Sequence, residues 1–249
     1  MSSRKKKIRI AQYLFVGLVT LVMSGYFALQ TPAVQSWIGR RVADYLSSEW
    51  NTQVSVGRVS IDLWARLHID DIYIEDQRKD TLLFIEHLHA SKYTFDRKSG
   101  KVVIAKAELQ QPYFNLVRHA QDSLLNYNFL VEYFDSGDTT QTETFIALNH
   151  LHLENGRFNY INEHRDLDTT YGVDWNHLKL SQINLDVNDF RMEGDSTHAF
   201  VSHLAMNEVS GFKLEEFSQE LTLANNEVRM DDVNLLAGES EVKGDLHFT

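Results

Sequence analysis

The sequence predicts a mainly β protein: an N-terminal transmembrane helix, a short amphipathic helix, then an extended antiparallel sheet that keeps one apolar face. Three observations carry this prediction. Residues 10–29 form a 20-residue apolar run without a charge, apolar residues between Val34 and Leu46 fall at helical spacing, and a two-residue alternation runs from Val54 to the end of the sequence.

The charge distribution fixes how the first element is read. The 249 residues hold 24 Lys+Arg and 35 Asp+Glu, a net charge of −11. All of the first 41 residues' charges are basic (Arg4, Lys5, Lys6, Lys7, Arg9, Arg40 and Arg41), so the remainder is strongly acidic. At about 1.5 Å per residue, a helix over the apolar run covers the roughly 30 Å hydrocarbon core of a bilayer. Basic residues ahead of it predict a cytoplasmic tail over 1–9, an anchor over 10–30 and a body on the far side of the membrane. A cleavable signal with a site near Val22-Met23-Ser24 is the alternative, but its apolar region would normally be shorter. An acidic body without a basic stripe argues against nucleic acid as a partner, and the absence of Cys excludes disulfides and thiol chemistry.

Thr31-Pro32 reads as a helix start, with Thr as N-cap and Pro at the first helical position. Val34, Trp37, Ile38, Val42, Tyr45 and Leu46 give one apolar face, and Asn51-Thr52 ends the helix, so 31–50 is read as amphipathic. Its apolar face is expected to pack on the body, with a position in the headgroup layer as the alternative.

From Val54 the period is two, but its phase slips repeatedly. Leu67 and Ile69 give way to Ile72 and Ile74 across Asp70-Asp71; Leu178 and Leu180 give way to Ile183, Leu185 and Val187, and then to Phe190 and Met192. A one-residue slip turns every side chain to the other face, so each change requires a bulge or a turn if one face is to remain apolar. Turn signals stand at Ser99-Gly100, Glu193-Gly194-Asp195 and Gly238, and Asn155-Gly156 is read as a hairpin between Leu151/Leu153 and Phe158/Tyr160. Leu124 to Phe134 is read as a short helix, and the polar stretch 135–144 as a flexible loop between a first β segment (51–134) and a second (145–249). The last residues still alternate, which suggests that the sheet continues in a longer protein.

Chemistry-bearing residues give little. His87/His89 and His150/His152 each place two imidazoles on one strand face, but the intervening Leu residues assign that face to the polar side, and no third ligand is evident. Asp70-Asp71 and Asp231-Asp232 sit at phase changes, and adjacent strand residues point to opposite faces, so neither pair converges on one bond. No nucleophile elbow, phosphate loop or dinucleotide fingerprint is present. The expectation is therefore no enzyme, no metal and no cofactor. The feature with functional content is the apolar face, which is an ordinary core if a second layer closes on it and a trough able to hold acyl chains if the sheet curls without one; the candidate lining residues are Leu67, Ile69, Ile72 and Ile74 in the first half. In the second half they are Leu151, Leu153, Ile183, Leu185 and Val187.

The run from Thr31 to Leu83 resembles the start of the AsmA-like superfamily, in particular TamB-type translocation and assembly proteins of Bacteroidota. The resemblance rests on the anchor, Thr31-Pro32 and its helix, and Val-x-Val-Gly-x-Val-x-Ile at Val54 to Ile61. It continues in Leu-x-Ile-x-x-Ile-x-Ile-x-Asp at Leu67 to Asp76 and in Asp80-Thr-Leu-Leu. Leu151-x-Leu-x-Asn-Gly-x-Phe-x-Tyr and Val209-Ser-Gly-Phe-x-Leu also fit. The resemblance implies the N-terminal part of a much longer, single-pass inner-membrane protein whose periplasmic sheet curls into a β-taco, a groove with an apolar interior. It further implies phospholipids as cargo on the way to the outer membrane. A partner barrel of the Omp85 type would bind a distal region, and the alternative role is a non-enzymatic scaffold for outer-membrane protein assembly.

Overall fold

A computed structural model describes residue 20 and residues 31–62, 64–96, 101–135, 145–168, 170, 172–224 and 227–248. The tail and anchor expected over 1–30 lie outside the described residues apart from Thr20, as do the turn at 97–100 and most of the loop expected at 135–144. No helix among the described residues is long and apolar enough to cross a membrane. Strands make up about 63% of the described residues, so the mainly β class holds.

Helix α1 (Pro32–Trp50) starts and stops where its sequence signals stand, with Thr31 at the N-cap and Asn51 closing it in the left-handed conformation at φ 50°. Its packed face is only partly the expected one: Leu46 packs into a buried cluster and Val34 is half-buried, but the rest is turned. Trp37, Ile38, Val42 and Tyr45 are 45–57% exposed, whereas Gln35, Ser36 and Ala43 are buried. The cause is a row of backbone partners on the sheet edge. The strand formed by β1 (Val54–Ser55) and β2 (Val59–Ile61) pairs on one side only, with β3 (Leu67–Glu75). On its open side, Ser47 Oγ bonds Val54 O and N at 3.0 and 2.8 Å, Ser36 Oγ bonds Val59 O and N at 3.2 and 3.1 Å, and the Gln35 amide accepts from Ile61 N at 2.7 Å. Three polar side chains thus stand in for a missing strand. The helix must come very close to do so: a Cβ on Gly39 would lie 2.3 Å from Val59 Cγ2.

The remaining strands are β4 (Thr81–Asp96), β5 (Lys101–Gln110), β6 (Tyr113–Arg118), β7 (Phe145–Asn162), β8 (His177–Glu193), β9 (Ser196–Glu208), β10 (Lys213–Leu214), β11 (Glu216–Ala224), β12 (Glu227–Ala237) and β13 (Ser240–Phe248). All of them join one 13-stranded sheet running from β1 to β13. The two expected β segments are therefore parts of a single sheet. Nor is the sheet wholly antiparallel, because β7 pairs in parallel with both β5 and β6. Helix α2 (Asn128–Asp135), which starts four residues later than its apolar run suggests, lies in the β6-to-β7 crossover. A crossover of this length is what lets a chain return in the same direction, as a tight hairpin cannot.

The Asn155-Gly156 hairpin does not form. β7 passes through it as one strand, with Asn155 in the left-handed region at φ 52°. The same conformation recurs within or between strands at Asp71, Lys92, Gln111, Gln182, Asp189 and Asp232, with φ between 49° and 55°. Each of these seven residues is the second of the two polar positions at a phase slip. Register then places them in two lines. Asp71, Gln111, Asn155 and Gln182 stand level across β3 to β8, bracketed by the pairs Asp70↔His87, His87↔Gln110, Gln110↔Glu154 and Leu153↔Leu185. Lys92, Asp189 and Asp232 mark a second line across β4, β8 and β12.

A left-handed non-glycine residue costs roughly 1–2 kcal/mol. Lys92→Gly should therefore raise stability by about 0.5–1 kcal/mol after glycine's own entropic penalty, whereas Lys92→Val should lower it by about 1–2 kcal/mol; chemical denaturation of both variants reads the difference. At the capped edge, Ser36→Ala leaves the Val59 N–H and C=O unpaired and should cost about 1–3 kcal/mol. Gly39→Ala should lower the melting temperature and promote self-association through the freed edge, detectable by light scattering.

Candidate functional site

The bulges put all nine candidate residues on one face. Leu67, Ala90, Ala107, Leu151, Val187 and Val201 stand side by side across six strands, and Ile69, Leu88, Leu109, Leu153, Leu185 and Leu204 form the next row. Beyond the first bulge line, Ile72 pairs with Ile85 and Gly156 with Ile183, and Ile74, Leu83, Phe114, Phe158 and Leu180 make a further row. Toward the other end, Phe95, Val102, Ile146 and Met192 continue the face. Without the phase slips, half of these side chains would point the other way.

This face is covered by helices at one end, and along its middle Ile85, Ala90 and Ala107 are buried as well. Ala43, Trp50 and Val54 form a buried cluster onto which Leu46, Val56, Ile74, Phe129, Leu130 and Tyr133 pack, so α1, α2 and the end of β3 make a local core. Trp50 meets Phe129 and Tyr133 edge-on, at centroid distances of 6.3 and 5.8 Å. Ile74 therefore belongs to this plugged end, whereas the other candidates lie outside the cluster. Of those, Leu153 and Val187 are buried and the rest are half-buried. The largest fully buried side chains among the described residues are Asp76 and Pro112, so no Leu, Ile, Phe or Trp there is fully enclosed. A two-layer sandwich of this size would enclose many. At the open end Phe95 is 67% exposed and Phe248 55%.

No protein-family model and no curated protein matches this chain.

The opposite face is polar and finely paired. His68, His89, Glu108, His152, Asp186 and His203 form one transverse row, directly behind the apolar rows. His87 Nδ1 lies 2.9 Å from Asp70 Oδ1, His152 Nδ1 2.7 Å from Asp186 Oδ1, and His150 Nδ1 2.8 Å from Asn188 Oδ1. A hydrogen bond from the Lys106 ammonium holds the Glu108 carboxyl below its ordinary range. Each of the two histidine pairs is thus engaged by a neighbouring strand, and Asp186 Oδ1 also lies 4.0 Å from His150 Nε2. The paired carboxylates behave as bulge residues. Asp70 faces His87 and Arg58, Asp231 is bridged to Arg229 at 2.7 Å, and the second member of each pair is the left-handed one.

One polar cluster was not read as a site from the sequence, although Asp76 and Asp80 stand in the motifs quoted above. Asp76, Asp80 and His119 come together where the β3–β4 turn meets the end of β6. Asp76 Oδ1 accepts the N–H groups of Arg78 and Asp80 at 2.8 and 3.0 Å, which shapes the turn, and Asn126 Nδ2 donates to Oδ2 at 2.9 Å. A donation from the Ala120 N–H keeps the nearby Glu163 carboxyl below its usual range. A cavity of about 350 Å³ opens beside the cluster, lined by Asp76, His119, Asp122, Asn126 and Phe129 among others. The sequence holds no recognisable spacing here, because the turn and the strand end lie about forty residues apart.

Proposed function

We propose that this chain is the membrane-proximal part of an AsmA-like, TamB-type envelope protein, anchored in the inner membrane with its N-terminus in the cytoplasm. In this reading its periplasmic sheet curls around its apolar face and carries phospholipid acyl chains toward the outer membrane. The observation that carries the reading is the set of apolar rows crossing six strands on one face, left partly exposed and backed by a polar face. Such a surface shelters hydrocarbon without recognising a particular headgroup, and sheltering is worth about 0.8 kcal/mol per CH₂. No enzymatic step is required. Helix α1 also supports it. Its outward Trp37, Ile38, Val42 and Tyr45 follow the charge-free apolar run closely, and Arg41 lies over the Trp37 ring at 5.5 Å, the side-chain mixture that suits a headgroup layer.

A second reading is a non-enzymatic scaffold for outer-membrane protein assembly. A partner barrel of the Omp85 type would belong to a distal region of a longer protein.

Photocrosslinking amino acids at Ile69 and Leu185, with His152 on the opposite face as control, separate the two. The conduit predicts phospholipid adducts at Ile69 and Leu185 and none at His152; protein adducts alone at both would overturn it. Leu185→Asp should sharply reduce the lipid adduct at Ile69 while circular dichroism remains that of the parent sheet.

A further inference from the structure

We propose that Asp76, Asp80 and His119 bind one zinc ion. This inference is independent of the lipid reading. One donor atom from each residue can be chosen so that all three lie within 4.8 Å of one another. The second observation is the imidazole itself. His119 is 7% exposed, and its Nε2 is buried without a hydrogen-bond partner. Leaving such an atom unpaired in a protein interior is costly, so a native site that does it calls for a missing partner.

The geometry names that partner's chemistry. His119 Nε2 lies 3.9 Å from Asp76 Oδ2, too far for a hydrogen bond. Two donors on one tetrahedral ion with bonds of about 2.0–2.2 Å sit roughly 3.4 Å apart, so this pair needs to close by about half an ångström, and the Asp80 oxygen, within 4.8 Å of both, moves in from the exposed turn. On the other side of the ring, Nδ1 lies 3.3 Å from Glu163 Oε2. A carboxylate there accepts a hydrogen bond from Nδ1–H and so leaves the lone pair on Nε2, which is the outer-shell arrangement that supports a ligating histidine. The nearby cation does not compete, because Arg78 is drawn off to Asp122 at 2.8 Å. An imidazole with two carboxylates suits zinc better than magnesium or calcium, which prefer oxygen throughout. The fourth position would face the cavity and take water.

The full chain in detergent micelles, stripped with a chelator, can be titrated with zinc chloride by calorimetry and by competition with a chromogenic chelator. One site per chain is expected, together with a zinc-dependent rise in melting temperature, and no comparable response to magnesium chloride. Asp80→Asn, at an exposed turn position, should weaken binding at least 10-fold and remove the thermal shift without changing the melting temperature in chelator. His119→Asn should do the same to binding, and Glu163→Gln should weaken it about 10- to 100-fold. His87→Asn and His152→Asn should leave it unchanged. Absence of binding at micromolar zinc, or a tight site that survives Asp80→Asn and His119→Asn, would overturn the proposal, as would a site lost in His87→Asn or His152→Asn.

Discussion

The whole arrangement depends on a conflict between strand geometry and one-sidedness. A regular strand alternates its side chains strictly, and long strands also twist, so an apolar face carried over sixteen to eighteen residues tends to drift or to be interrupted at a kink. Here the chain resets its phase. A polar pair is inserted, its second member adopts φ near +50°, and the alternation restarts on the same side. Because the resets stand level on adjacent strands, neighbouring strands bend together and their pairing survives. Three of the seven positions, Lys92, Gln111 and Gln182, are not residues that favour the left-handed region. Their presence there shows that the sheet imposes the conformation, whatever the local preference.

The second constraint is the edge. An unpaired edge is a template for aggregation. At β1–β2 the remedy is a helix whose inward stripe is small and hydrogen-bonding, Ser36, Gly39, Ala43 and Ser47, so that backbone and side chain can take the place of a strand. That choice has a consequence for the rest of the helix. With the small residues turned inward, the large apolar ones, Trp37, Ile38, Val42 and Tyr45, are turned out. The same sequence pattern that usually buries the apolar stripe is inverted, because hydrogen-bond demand at the edge outweighs the area the stripe could bury.

These two features mark where the sequence was legible and where it was not. Phase slips are local, so Asp71, Gln182 and Asp189 announced themselves as bends, and the ends of α1 were written in Thr31-Pro32 and Asn51. Asn155-Gly156 misled because the pair serves a hairpin and a left-handed bulge equally well, and only the parallel partner strands β5 and β6 decide between them. The inward face of α1 depended on what lay opposite, which periodicity does not encode. The same holds for Asp76, Asp80 and His119, which the fold brings together from separate segments. The nine candidate residues were legible as one face, but not that Ile74 would fall beneath the covered end.

The covered end and the open face meet at the β3–β4 turn. Asp76 O accepts from Thr52 Oγ1 at 2.8 Å, and Gln77 Nε2 donates to Trp50 O at 2.6 Å, which ties the turn to the end of α1. Asn126 joins Asp76 Oδ2 to the Asn115 carbonyl and takes the Val117 N–H, which ties the same turn to β6 just ahead of α2. The apolar plug of Trp50, Phe129 and Tyr133 is therefore seated on a polar network that the buried Asp76 holds together. Lifting the plug would strip partners from several of these groups at once, so it cannot swing away while the turn stays in place. If acyl chains enter the apolar face from the membrane side, this turn is where their entry is opposed, and a cation held by Asp76, Asp80 and His119 would fasten it further.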